Sequence, residues 1–171
     1  QIHEELISQL TEGRGGVKII PVLGSAADKE LLRRVIADNQ VNTLLHAAAY
    51  KHVPLVESNV AQGAQNNILS TIVASQVAGK LGVDTFTLVS SDKAVRPTNV
   101  MGATKRVAEL AMLEISKSYG RTRYCAVRFG NVLGSSGSVI PKFEQQIRSG
   151  GPITITDPEI IRYFMTGKEA A

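Results

Sequence analysis

Thr85-Phe86-Thr87-Leu88-Val89-Ser90-Ser91-Asp92-Lys93 is the stretch on which the fold turns. Residues 85–90 form a short apolar run rich in β-branched and aromatic side chains, so they read as a strand. A hydroxyl, a carboxylic acid and an amine follow at its carboxyl end. On the amino-terminal side, residues 60–80 carry a helical pattern that stops at Gly82. On the other side, a helix over residues 100–118 leads to a second strand over 124–129. Further upstream, residues 43–49 read as a strand so poor in polar residues that both its faces are expected to be covered. Asp28 is placed to cap a helix with Leu31, Leu32, Val35 and Ile36 on one face. Residues 17–23 form another apolar run in which Pro21 lacks a ladder donor, which predicts an edge strand or a bulge.

The alternation extends loosely to both ends. Ile2, Leu6 and Leu10 stand at helical spacing before Gly13, Gly15 and Gly16 break the pattern. Residues 138–148 read as a helix, 153–156 as a short strand and 167–171 as the start of another helix. Strands alternating with helices predict parallel pairing through right-handed crossovers, hence an α/β, doubly wound parallel sheet. Such sheets bind ligands beyond the carboxyl ends of their strands. Function is therefore expected in the loops at 24–28, 50–54, 90–101 and 130–138.

Composition narrows the classes. The 171 residues are 43% hydrophobic and 20% charged, which suits one globular domain and excludes disorder. Nineteen Lys and Arg against fifteen Asp and Glu leave a formal charge of +4. The basic residues are spread along the chain without interleaved aromatics, so an anionic small molecule is a better partner than nucleic acid. Cys125, the single cysteine, allows no internal disulfide, and His3, His46 and His52 lack metal-ligand spacing. A metal-free site in a reducing, cytoplasmic setting is expected. No apolar run reaches the roughly twenty residues of a membrane span, so no membrane contact is expected within this chain.

Ser91, Asp92 and Lys93 place acid and base side by side in the expected crevice, although a solvated ion pair at a turn is the plainer reading of those residues alone. Met101 and Lys105 lie four apart on the next helix, so they share a face. Together with residues 46–54, 90–99, 128–135 and 162–166, these motifs make the sequence similar to the extended short-chain dehydrogenase/reductases. Within that superfamily it resembles the polysaccharide-biosynthesis nucleotide-sugar 4,6-dehydratases, and the likeness runs from about residue 17 onward.

The resemblance implies a Rossmann-type fold, NAD or NADP as cofactor, and UDP-N-acetylglucosamine or a close UDP-N-acetylhexosamine as substrate. The sugar would be oxidised at carbon 4, lose water across carbons 5 and 6, and receive the hydride back at carbon 6. Ser91 then corresponds to the hydroxyl that holds the carbon 4 oxygen, Asp92 to the acid for the departing hydroxyl, and Lys93 to the base at carbon 5. Such roles require both values to move toward neutrality. Asp92 and Lys93 are accordingly expected to address different atoms once sugar is bound. Lys105 corresponds to the lysine at the nicotinamide ribose. Met101 departs from the tyrosine that most relatives carry, and a thioether cannot take a proton.

Cofactor contacts implied in the same way are Gly24, Ser25, Ala47, Ala48, Ala49, Lys51 and Asn67, with Lys105. Substrate contacts are Asn131, Gly134, Ser135, Ser138, Val139 and Arg162, the last as a partner of the diphosphate. His46, His52 and Cys125 are expected to stay outside the site, Cys125 by burial in its strand. Tyr50 and Tyr163 are left as pocket-shaping contacts. The glycine fingerprint of dinucleotide-binding folds is absent from these 171 residues, so they read as a partial NAD(P)-binding domain cut at both ends, with part of the sugar-nucleotide region from about residue 130. Alone, this piece is expected to bind cofactor poorly. The intact protein is open to a homo-oligomer and to anchoring at the inner face of the membrane. A UDP-sugar 4-epimerase or a catalytically silent UDP-sugar-binding module are the competing readings.

Overall fold

The computed structural model describes residues 17–134, 139–155 and 157–170. Helix α1 (Lys29–Asp38) begins where expected, because the Asp28 carboxylate accepts the Leu31 N–H at 3.0 Å. Strand β1 (Thr43–His46) follows, shorter than its apolar run. Two short helices, α2 (Val53–Ser58) and α3 (Val60–Ala64), then lead through a π-helical turn (Gln65–Leu69) into α4 (Ser70–Leu81). Gly82 ends α4 at φ 68°, a left-handed conformation that favours glycine. Strand β2 (Thr85–Val89) runs into a 3-10 turn (Asp92–Ala94), and α5 (Val100–Ser116) leads to β3 (Arg123–Val127).

The three strands pair in parallel in the order β1-β2-β3, with Leu45 beside Thr87 and Thr87 beside Cys125. The α/β class and the parallel sheet expected from the alternation are thus present. Phe86 and Leu88 of β2 point into a core with Ile36, Ala74, Val77, Ala78, Val83, Ala108 and Met112. Each of these two fully buried side chains stabilises the fold by about 1.5–3 kcal/mol. Beyond the sheet, β4 (Asn131–Val132) pairs in parallel with β5 (Phe164–Met165), flanked by α6 (Val139–Arg148) and α7 (Gly167–Ala170).

Several expectations need correction. Residues 17–23 form no strand, since Pro21 withholds an N–H and no described strand lies beside them. Residues 153–155 are likewise irregular, and Thr156 lies outside the described residues. The helix over 2–10 and the glycines at 13, 15 and 16 also fall outside them. The described helices α1, α4 and α5 pack on one face of the sheet, so β1 is not covered on both: Leu45 is 69% exposed. Cys125 stands on that same open face rather than in the core, with its sulfur 3.1 Å from the Thr87 hydroxyl. No helix among the described residues is long and apolar enough to cross a membrane.

Candidate active site

The carboxyl ends of the strands open into a cavity of about 610 Å³. The loop after β1 gives Ala47, Ala49 and Lys51, the loop after β2 gives Ser91 and Lys93, and the first turns of α5 give Met101 and Lys105. Asn131 of β4, Val139 of α6 and Arg162 complete the expected lining. Parallel pairing places these chain-distant loops at one edge, which is why a sequence reading by strand ends finds them. Lys51, Lys93, Lys105, Lys142 and Arg162 all line the cavity, and no Asp or Glu does so among the described residues. Such a wall favours an anionic ligand.

The acid and the base are locked together. The Lys93 ammonium donates to the Asp92 carboxylate at 3.0 Å and to the Asn131 side-chain oxygen at 3.3 Å. The Ser91 hydroxyl donates to the same carboxylate oxygen at 2.9 Å, and the Lys93 N–H donates to it at 2.8 Å. Partial burial pushes the Asp92 carboxyl up, but the hydrogen bonds from Lys93 and Ser91 and the ammonium charge outweigh it and leave Asp92 below its ordinary value. The expected shift of Asp92 toward neutrality is therefore not found in this closed arrangement. Asp92 itself is not among the lining residues; its side chain is paired with Lys93 and is the more exposed of the two.

Lys105 is buried and donates to the Val89 carbonyl at 2.7 Å. Burial lowers its affinity for a proton, and the charge of Glu109 opposes that only in part. Met101, 4% exposed, lies one turn away, so the thioether occupies the wall beside the lysine. Helix α5 approaches the loop closely because residue 102 is glycine. A Cβ there would lie 2.4 Å from the Lys93 carbonyl oxygen. Asn99 caps the helix by accepting the Gly102 N–H at 2.8 Å, and Glu57 accepts the Val100 N–H at 2.6 Å.

Asn67 holds the wall rather than facing the cavity. Within the π-helical turn its amide accepts the Tyr50 N–H at 2.7 Å and donates to the Tyr50 carbonyl at 3.1 Å and to the Thr104 hydroxyl at 3.0 Å. Ala48, Gly24, Ser25 and Gly134 are not among the lining residues. Gly24 packs against Leu31, and the Ser25 hydroxyl accepts the Ala27 N–H at 3.1 Å at the start of α1. Ser135 and Ser138 lie outside the described residues. His52, expected outside the site, does line the cavity, as does Tyr50, whereas Tyr163 is 82% exposed and does not. His46 packs as expected, buried beside the Thr71 hydroxyl at 3.2 Å, and burial together with the Lys105 charge pushes its value down to about 4. Lys142, which none of the motifs includes, also lines the cavity; it sits three residues after Val139 on the same helical face.

The whole chain, residues 1–171, matches the polysaccharide biosynthesis protein family. It is 46% identical over 170 residues to the capsular polysaccharide biosynthesis protein CapD of Staphylococcus aureus, covering 99% of this chain and 28% of that protein. It is 35% identical over 147 residues to a UDP-N-acetylglucosamine 4,6-dehydratase (inverting) of Campylobacter jejuni, covering 84% and 43%. Among solved structures, Pen from Bacillus thuringiensis superposes with a TM-score of 0.88 at 32% identity, over 99% of this chain and 52% of that one. DesIV, a dTDP-glucose 4,6-dehydratase from Streptomyces venezuelae crystallised with NAD, shares the fold with a TM-score of 0.82 at 20% identity, over 95% and 54%. The parallel α/β fold is what the two solved structures have in common with the chain. The chain belongs to the polysaccharide biosynthesis protein family, and it spans less than half the length of the two curated relatives named here.

Proposed function

We propose that the protein is a nucleotide-sugar 4,6-dehydratase acting on UDP-N-acetylglucosamine or a close UDP-N-acetylhexosamine. The observation that carries this reading is the convergence of Ser91, Lys93 and Lys105 on one cation-lined cavity, with Asp92 held against Lys93 at 3.0 Å. An epimerase needs no acid and base for water loss, whereas a dehydratase needs both.

The residues present suit NAD or NADP. Ala47 and Ala49 form a small-residue wall where a flat ring can approach the backbone, and Lys105 uses one of three N–H groups on Val89, leaving two for ribose hydroxyls. The cofactor, when bound, supplies a hydride acceptor that returns the hydride within the same turnover. Lys142 and Arg162 of the lining are cations suited to the diphosphate.

The Asp92–Lys93 pair shares one proton. A sugar ring that excludes water from the pair favours its neutral form, because desolvation penalises both charges. The proton then rests on Asp92 and leaves Lys93 an amine. Ser91 holds the carbon 4 oxygen, whose proton leaves to solvent as the hydride departs. Lys93 takes the carbon 5 proton while Asp92 protonates the departing carbon 6 hydroxyl, and Lys93 returns a proton to carbon 5 once hydride reaches carbon 6. Asp92 regains its proton from solvent, so the cycle closes with one water released. Incubation of the full-length protein with UDP-N-acetylglucosamine and NAD or NADP, followed by mass spectrometry, tests this. Loss of one water supports it. A stereoisomer of unchanged mass indicates an epimerase, and binding without conversion indicates a silent module.

A further inference from the structure

Glu109 is charged, 2% exposed and not itself part of the cavity lining, yet it takes four hydrogen bonds from three elements. Arg128, just after β3, donates through Nε at 2.8 Å and through a terminal nitrogen at 2.5 Å. Ser90, just after β2, donates at 2.5 Å, and Arg106 of α5 donates at 3.0 Å. A carboxylate this buried is tolerated only when its lone pairs are filled, and here they are. The three donors are not arbitrary. Ser90 adjoins Ser91, Arg128 directly precedes Phe129 and Gly130 of the cavity lining, Arg106 adjoins Lys105, and Glu109 itself stands one turn after Lys105.

We propose that Glu109 is a positioning residue that fixes α5, with Met101 and Lys105, against the exits of β2 and β3, so that Lys105 and Lys93 face one substrate. The inference rests on the dehydratase reading for its catalytic consequence only. Two backbone bonds brace the same seam, Ser90 N–H to the Val127 carbonyl at 2.8 Å and Asp92 N–H to the Phe129 carbonyl at 3.1 Å. Glu109 adds the link from that seam to the helix. It is also the anion nearest Lys105 along α5, where the other groups around the ammonium are the buried, uncharged His46, the cations Arg106 and Arg128 beyond Glu109, and Lys93 across the cavity. Its charge therefore holds a proton on Lys105 against the cost of burial.

Two substitutions in the full-length protein separate geometry from charge. Glu109→Gln keeps the shape and removes the anion, whereas Arg128→Gln breaks the seam and leaves the anion less compensated. Competitive acetylation of the resting protein across the pH range, read at the Lys105 peptide by mass spectrometry, reports the lysine without substrate. Lys105 is expected to titrate at lower pH in Glu109→Gln and at higher pH in Arg128→Gln, a reversal that mere loosening does not produce. Both variants are expected to lose kcat on the order of 10²-fold, as misplacement of a reacting group by about 1 Å does, with KM changed far less. Unmoved titration, or shifts of the same sign, overturns the proposal, and so does parental kcat in either variant. If Glu109→Gln fails to fold, Arg128→Gln carries the test alone. Shifts as expected in a protein whose parent form dehydrates nothing retain the placement of Lys105 by Glu109 and reject the dehydratase reading.

Discussion

Lys93 and Asp92 are sequence neighbours whose side chains close on each other at 3.0 Å, while only the lysine faces the cavity. A pair of this kind at half-exposed positions adds little to stability, on the order of 0–1 kcal/mol. On the proposed dehydratase reading, its importance is that it places an acid and a base together at the edge of a cation-lined cavity.

Removal of either partner is therefore expected to affect chemistry far more than folding. Asp92→Asn and Lys93→Met should each reduce dehydration of UDP-N-acetylglucosamine by roughly 10²–10⁴-fold, the range for loss of a general acid or base. Thermal unfolding should move little. Near-parental rates in both variants, measured by loss of one water in the mass spectrum, would show that proton traffic runs through other groups.

Gly102 sets the distance between α5 and the loop that carries the pair. Because a Cβ at this position would lie 2.4 Å from the Lys93 backbone carbonyl, Gly102→Ala must push the helix and the loop apart. Overpacking of this kind costs about 1–3 kcal/mol. A lowered midpoint in urea together with a fall in kcat is expected, and an unchanged midpoint would mean that the seam yields without strain.

Met101 is 4% exposed and stands beside Lys105. Met101→Tyr inserts a larger side chain and a phenol into a filled wall, so it is expected to lower activity rather than restore a missing base. The measurement is kcat on the same substrate. A gain would show that the wall has room for the tyrosine of most relatives and that proton removal at carbon 4 limits turnover.

The parallel sheet and its site edge were legible because strand and helix periods differ and because Ser91, Lys93, Met101 and Lys105 all follow strand ends in sequence. The limits were physical as well. Residues 17–23 have the composition of a strand, but pairing is non-local and Pro21 weakens it, so composition did not make them one. Cys125 alternates with Tyr124 in β3, yet which face is covered depends on helices elsewhere in the chain. The closed Asp92–Lys93 pair and the seam at Glu109 depend on rotamers and on contacts nineteen residues apart, such as Ser90 with Glu109, which no local pattern encodes.

Two buried groups predict acid sensitivity in successive, partly overlapping windows. His46 is held neutral, down to about 4 from an ordinary 6.5, first by burial and then by the Lys105 charge. The unfolded chain binds that proton more readily, so stability is lost as pH falls from 6.5 toward 4. Burial pushes Glu109 up, but its hydrogen bonds from Arg128, Ser90 and Arg106 prevail and hold it at about 2 against an ordinary 4.5. Its contribution is complete above 4.5 and is lost as pH falls toward 2, again because the unfolded state takes up the proton first. Each shift corresponds to about 3 kcal/mol of stability lost once the pH has fallen through its window. Urea unfolding across this range should therefore show stability falling in two overlapping steps. His46→Gln should remove the upper step and leave the lower one, and a profile in which that substitution changes only the lower step would reverse the assignment.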